Sequence, residues 1–177
     1  MLRAMMLEFP DDPACDFLDL QYMLGDALLV APVFSQDGIV QYYVPEGKWT
    51  SLLSHTVIEG PRWVREVHDF MSLPLLVRPN SVIPIGNRSD RPDYDYSDSV
   101  TLHVYQLGEG MQTTVEIPAL DGKIETTFEI RREGSKLHIE RRGPAKQWSV
   151  FLAGSPSIAG NLKAEIGETT IQLPEEF

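Results

Sequence analysis

One cysteine, Cys15, is all that the sequence holds, so no disulfide can close within the chain. Metal-ligand spacing is missing as well. His55, His68, His103 and His138 stand apart, with no C-x-x-C or H-x-x-x-H around them, and read as ordinary strand or loop histidines. Basic charge is scarce: 15 Lys and Arg face 26 Asp and Glu, for a net charge of -11. Nucleic-acid binders present a basic face, so that partner class is set aside. No apolar run approaches the roughly 18 residues of a membrane span. The opening MLRAMMLEFPDDP lacks a cationic stretch followed by a long apolar core, so no secretory signal is read and a cytoplasmic protein is expected. There is no G-x-S-x-G elbow, no phosphate loop and no dinucleotide fingerprint. No cofactor is expected.

What is present changes character along the chain. LRAMMLEF, residues 2–9, reads as a short strand, apolar on both faces. Asp12 suits an N-cap and Pro13 the first helical position. Phe17, Leu20 and Leu24 share a face at helical spacing, and Gly25 follows as a stop signal, so a helix is predicted over 13–24 with Cys15 buried in it. ALLVAPV then reads as a second buried strand, and the order strand, helix, strand suggests the tail of an α/β domain. After Pro32 the pattern becomes all-β. IVQYYV, WTSLL, RWVREV and LPLLVRPNSVIPIG are short strands, with turns at Gln36–Gly38, Pro45–Lys48, Glu59–Pro61 and Pro79–Ser81. The polar stretch from 86 to 98 has no periodicity and reads as a linker or surface loop. A second β set follows, with a hairpin turn at Glu133-Gly134 and an edge hairpin in the tail.

Candidate chemistry is sparse. Glu8, Asp11, Asp12, Asp16 and Asp19 could supply the two carboxylates of a glycosidase, which lie about 5–5.5 Å apart in a retaining enzyme. Capping and dipole compensation account for Asp12 and Asp16. Glu8 either closes a strand at a barrel's active-site face or holds a helix terminus. Trp49, Trp63, Trp148, Tyr42 and Tyr43 either line a sugar-stacking platform or fill the core. Strands bury such residues, so all three tryptophans are expected to be buried. Tyr94 and Tyr96, in the polar stretch, are the exception and stand as the candidate sugar contacts.

Several motifs occur in order. Gln21-Tyr22-Met23-Leu24-Gly25-Asp26, followed by Leu28-Leu29-Val30-Ala31-Pro32-Val33, resembles the Q-F-M-L-G-D-x-L-L-V-A-P-V segment of glycoside hydrolase family 31. VPEGKW resembles its L-P-x-G-x-W turn, and LPLLVRPNSVIPIG its I-P-x-F-V-R-x-G-S-I-I-P strand pair. The resemblance covers residues 1 to about 90 and is closest to bacterial α-xylosidases. Residues 99–153 fit the distal C-terminal domain of that group by pattern. The resemblance implies a mainly-β fold: two antiparallel β-sandwich domains preceded by a β-α remnant of a (β/α)8 barrel. The expected domains are 1–32, the barrel remnant; 33–90, a proximal β-sandwich; 91–98, a linker; and 99–177, a distal β-domain.

In that family two aspartates carry a retaining mechanism, and both precede the segment matched here. Asp16-Phe17-Leu18 and Asp69-Phe70-Met71 do not match the family's Asp-Phe-Gly-Glu motif, so no catalytic residue is assigned. The implied function is that of non-catalytic accessory domains of an α-xylosidase or α-glucosidase, inactive alone. The alternative is an autonomous carbohydrate-binding sandwich. The implied partner is the catalytic barrel, with α-xylosides or α-glucosides as substrates of the parent only. Self-association is expected through residues 1–24, whose apolar strand would lack neighbours. A chain beginning at Ala27 is accordingly expected to be less prone to associate and to keep its thermal midpoint.

Overall fold

The alternating and β-branched stretches become strands in the computed structural model, which describes residues 1–154, 162–164 and 168–174. The chain divides into two compact bodies between Pro79 and Asn80. In the first body the strands are β1 (Leu2–Ala4), β2 (Tyr22–Leu24), β3 (Leu28–Val30), β4 (Ile39–Ser51), β5 (Val57–Val67) and β6 (Leu75–Val77). They form one sheet, in the order β1-β2-β3-β6-β4-β5. A single turn of helix, α1 (Met5–Glu8), follows β1.

The second body holds β7 (Ser81–Ile85), β8 (Val100–Tyr105), β9 (Gln112–Pro118), β10 (Ile124–Glu133), β11 (Lys136–Arg142), β12 (Trp148–Ala153), β13 (Leu162–Ala164) and β14 (Glu168–Gln172). One sheet runs β14-β11-β10-β9 and the other β13-β12-β8-β7. Val115, Phe128, Ile130 and Ile139 from the first meet Leu102, Val104 and Val150 from the second in one core. Two sheets sharing their inner faces in this way make a sandwich. β8 and β12 pair in parallel, with Val100 opposite Trp148. The chain between them builds most of the opposite sheet.

The mainly-β fold is as expected, but the first 24 residues are not. Only Leu2–Ala4 is strand in the stretch 2–9, and Met5–Glu8 turns into helix. The helix predicted over 13–24 is a 3₁₀ turn, Pro13–Cys15, followed by β2. Asp12 does cap it, accepting from the Ala14 N–H at 3.0 Å. Phe17, however, is 91% exposed and Leu20 is exposed too, so their helical spacing serves no buried face. Gly25, predicted to stop a helix, instead turns the β2–β3 hairpin at a φ of 62°.

Residues 1–24 belong to the first sheet. Met5, Cys15 and Met23 sit in the same core as Tyr42, Val44 and Trp49. Gln21 is buried, and its carboxamide works as a strand edge: Nε2 donates to the Tyr43 carbonyl at 2.8 Å and Oε1 accepts from the Tyr43 N–H at 2.7 Å. Beginning the chain at Ala27 would therefore remove two strands, three core side chains and this clasp.

Several further expectations are revised. The turn expected at Pro45–Lys48 is a bulge within β4, and that at Glu59–Pro61 lies within β5; the two strands keep their pairing on both sides. Gly60 lies opposite, where a Cβ would stand 1.9 Å from the Pro45 carbonyl oxygen; only glycine allows that approach. The strand pair expected over LPLLVRPNSVIPIG is split. β6 joins the first sheet, whereas β7 pairs with β8 in the second body. The polar stretch 91–98 then lies in the β7–β8 hairpin loop, inside the second body. β13 and β14 join different sheets instead of forming an edge hairpin. No described helix is long and apolar enough to cross a membrane.

Trp49 and Trp148 are buried, as expected, but Trp63 is 54% exposed on edge strand β5. Trp148→Ala is expected to cost about 3–5 kcal/mol through cavity formation, and Trp63→Ala about 1 kcal/mol or less. Urea midpoints followed by circular dichroism separate the two; equal shifts would contradict the core described here. The chain shortened to Ala27 is expected to lose the cooperative unfolding of the first body, whereas an unchanged thermal transition would detach residues 1–24 from that core.

Candidate functional site

The N-terminal acids do not assemble into a catalytic pair. Glu8, at the end of α1, lies 2.7 Å from Arg78 Nη1 and 3.1 Å from Arg3 Nη2. Arg3 also reaches Asp26 at 2.8 Å and donates to the Gly25 carbonyl at 2.9 Å. Arg78 lies over the Phe9 ring, 4.9 Å from its centre. Of the two readings left open for Glu8, it is the structural one that this geometry fits: it ties β1 and α1 to the end of β6. Asp12 is occupied by its cap and by the Tyr43 hydroxyl, which donates at 2.8 Å. Asp11, Asp16 and Asp19 are exposed. Burial, with Asp12 and Asp16 adding to it, pushes the Cys15 thiol up to about 11, which keeps it protonated and unreactive at neutral pH.

The histidines are dispersed. His68 bridges Glu66 at 3.0 Å and Ser72 at 3.1 Å, His138 meets Thr170 at 3.1 Å, and His103 stacks near Phe151. Among the described residues no group of His, Cys, Asp and Glu is placed to hold a metal ion. Tyr42, Tyr43, Trp49 and Trp148 are core residues, so no stacking platform forms from them.

The β7–β8 loop is different. It contains an open concavity of about 420 Å³, lined by Asn87, Arg88, Arg91, Asp93, Tyr94, Asp95 and Asp98. Tyr94 and Tyr96 stand perpendicular, with ring centres 5.0 Å apart. Tyr94 lines the concavity, whereas Tyr96 packs against the sandwich core and donates to the Pro92 carbonyl at 2.7 Å. The Tyr94 hydroxyl lies over Gly86, where a Cβ would be 1.8 Å away. Glycine at 86 is what admits the ring.

An ion cluster anchors this loop. Lys146 Nζ lies 2.7 Å from Asp95, 2.7 Å from Glu125 and 2.9 Å from Ser97 Oγ. The Ser97 hydroxyl donates to Glu125, and the Ser97 N–H to Asp95 at 3.2 Å. Beside it the buried Arg141 donates to the carbonyls of Pro144 and Lys146. The sequence reading missed this cluster, because its members are brought together by β10 and the β11–β12 connection. The one local signal is Asp95-x-Ser97, a spacing that favours an Asx turn.

Residues 1–83 match the family model described as the glycosyl hydrolase family 31 C-terminal domain, and residues 95–176 that of the alpha-xylosidase YicI C-terminal domain. The alpha-xylosidase XylQ of Lactiplantibacillus pentosus is 40% identical over 136 residues, which are 75% of this chain and 18% of that protein. An alpha-xylosidase of Emericella nidulans is 41% identical over 138 residues, covering 73% of this chain and 17% of that protein. The chain thus spans under a fifth of the length of either. Among solved structures, the GH31 alpha-xylosidase of Xanthomonas citri has the same fold, with a TM-score of 0.76 and 23% identity over 98% of this chain and 21% of that one.

The Lys146 cluster makes a prediction about acid stability. Its hydrogen bond with Lys146 holds Asp95 below the usual carboxylate range; Lys146 and then Ser97 do the same for Glu125. Burial opposes the charge on Lys146, but bonds to Asp95 and Glu125 outweigh it and raise its pKa. Groups with depressed folded pKa values stabilise above their unfolded values, here 3.8 and 4.5, and that contribution is lost as the pH falls through the folded ones. Lys146→Met is therefore expected to lower the melting temperature at neutral pH and to flatten its fall below about pH 4.5. A parallel shift at every pH would mean that the cluster carries no acid-sensitive stability.

Proposed function

From the premise that the chain belongs to glycosyl hydrolase family 31 as its C-terminal domains, we propose that it is the non-catalytic accessory part of an α-xylosidase or a related α-glucosidase. Its work is to pack against a catalytic (β/α)8 barrel and hold the barrel's last elements in place. The chemistry of glycoside cleavage belongs to that barrel, and no residue described here is assigned a step in it.

The observation that carries this reading is the distribution of exposed apolar side chains. Fourteen of the eighteen large ones that are exposed among the described residues lie in the first body. Scattered apolar residues are normal on a surface, but so uneven a division between the two bodies points to the first as the one that docks. The sharpest instance is the turn after β5. Phe70 is fully exposed and Met71 is 88% exposed. The turn beneath them is braced: Asp69 accepts from the Met71 N–H and the Ser72 hydroxyl, both at 2.9 Å, and His68 spans Ser72 and Glu66. Two apolar side chains held out on a braced turn are suited to fill a pocket on a partner, because little entropy remains to be lost on docking. Relatives more than five times the length of the matched segment supply a candidate for that partner within one polypeptide. With no barrel present, the same side chains, and those at Leu2, Leu7 and Phe17, are expected to bring copies of the chain together.

The test is reconstitution. The chain alone is expected to turn over neither p-nitrophenyl α-xyloside nor the α-glucoside. Mixed with a polypeptide carrying the rest of such an enzyme, it is expected to co-elute with it and to raise its xyloside hydrolysis. Phe70→Ser with Met71→Ser should leave the circular dichroism spectrum unchanged and weaken the association at least about tenfold. Turnover by the chain alone, or association indifferent to that double substitution, would overturn the proposal.

A further inference from the structure

We infer that the β7–β8 loop is a carbohydrate subsite, which takes a neutral oligosaccharide of α-linked xylose or glucose units in the concavity lined by Asn87, Arg91, Asp93, Tyr94 and Asp98. The choice of sugar rests on the proposed function, but the site is independent of how the first body docks, since every residue it uses lies in the second.

Three observations carry it. The first is the loop itself. It joins two antiparallel strands that a short turn could join, yet runs from Gly86 to Ser99 without regular structure. Loops of this length in a compact domain are uncommon and are usually functional. The second is that the loop is braced from below. Lys146 and Ser97 fix Asp95, Tyr96 is stapled to Pro92 and to the core, and Asp90 grips the Arg88 guanidinium at 3.0 and 3.1 Å. The concavity is therefore preformed, as binding sites usually are.

The third observation is the chemistry of the lining. Arg91 is half exposed and its nearest acid, Asp90, stands 3.9 Å away, at the limit of an ion pair. Asp93 and Asp98 present acceptors, and Asn87 presents both a donor and an acceptor. Arg91 stands against Asp93 and Asp98, with Asn87 beside them, around one small space. A phosphate would be repelled by the two aspartates and a metal ion by Arg91. Vicinal hydroxyls, each both donor and acceptor, suit both kinds of group at once. Tyr94 adds a ring of fixed orientation, pressed against Gly86 and held perpendicular to Tyr96. A ring of that kind can cover the apolar C–H face of a pyranose. Of the two sugar contacts expected from sequence, Tyr94 touches the ligand and Tyr96 positions it.

The experiment titrates the whole isotopically labelled chain with isoprimeverose and, separately, with maltose, and follows backbone amide shifts. Saturable shifts centred on residues 86–98 are expected, with weak binding of about millimolar strength. Gly86→Ala places a methyl where the Tyr94 hydroxyl lies and displaces that ring while leaving the side chains of Asn87, Arg91, Asp93 and Asp98 unchanged; it is expected to weaken binding at least tenfold. Arg91→Ala, a surface change that spares the ring, is expected to do the same. Lys136→Ala, at an exposed position opposite Glu133 and so at the far end of β10 from Glu125, serves as the control and should leave the titration unchanged. Absence of saturable shifts with either sugar would overturn the inference. So would shifts that map elsewhere, or binding that survives both Gly86→Ala and Arg91→Ala in folded protein. These outcomes are read without the barrel, so they stand or fall separately from reconstitution of hydrolysis.

Discussion

A buried peptide group must find a hydrogen-bond partner, and at Tyr43 that partner is a side chain. β4 has β5 on one side and the three-residue β6 on the other, which reaches only as far as Thr50 and Ser51. Gln21 meets the Tyr43 N–H and carbonyl in the manner of a neighbouring strand. Leaving those groups unpaired in the core would cost about 1–3 kcal/mol each. The clasp joins the segment leading into β2 to the middle of β4, although two strands separate them in the sheet. The packing of Cys15 and Met23, the Asp12–Tyr43 bond and the placing of Phe9 beside Trp49 all follow from having that segment pinned there.

This dependence explains where the sequence was legible. The β10–β11 hairpin was readable because its inward residues alternate, and its register across Glu133 and Lys136 follows from the Gly134 turn. Residues 13–24 were misread because Phe17, Leu20 and Leu24 carry helical spacing. The competing information was nonlocal: Gln21 pairs with Tyr43, and Tyr22–Leu24 pairs on both sides with other strands. Trp63 was misjudged for a related reason, since a strand's composition does not say whether it lies at the edge of its sheet.

The same division holds for the loop that carries the sugar inference. Tyr94 and Tyr96 stood out as aromatics in a polar stretch, and the structure sets the two rings together there. What the sequence could not convey was the brace beneath them. Lys146 is 51 residues from Asp95 and 21 from Glu125, and only the closure of the sandwich makes them neighbours. The sequence left linker and surface loop both open for this stretch; held by that cluster, it is a fixed part of the second body.

The parallel pairing of β8 with β12 bears on the order in which the second body can form. Thr101 and Ser149, neighbours across that pair, are 48 residues apart in sequence. β8 can pair with β7 early, but its other edge stays open until β9, β10 and β11 have been made and Trp148–Ala153 has arrived. On a ribosome that interval is several seconds of exposed strand edge, at about 5–20 residues per second. Closing so long a loop is also slow relative to forming a hairpin. The nascent second body therefore passes through a stage in which a central strand, β8, has one edge open to a wrong partner, and the length of that stage is set by one strand order.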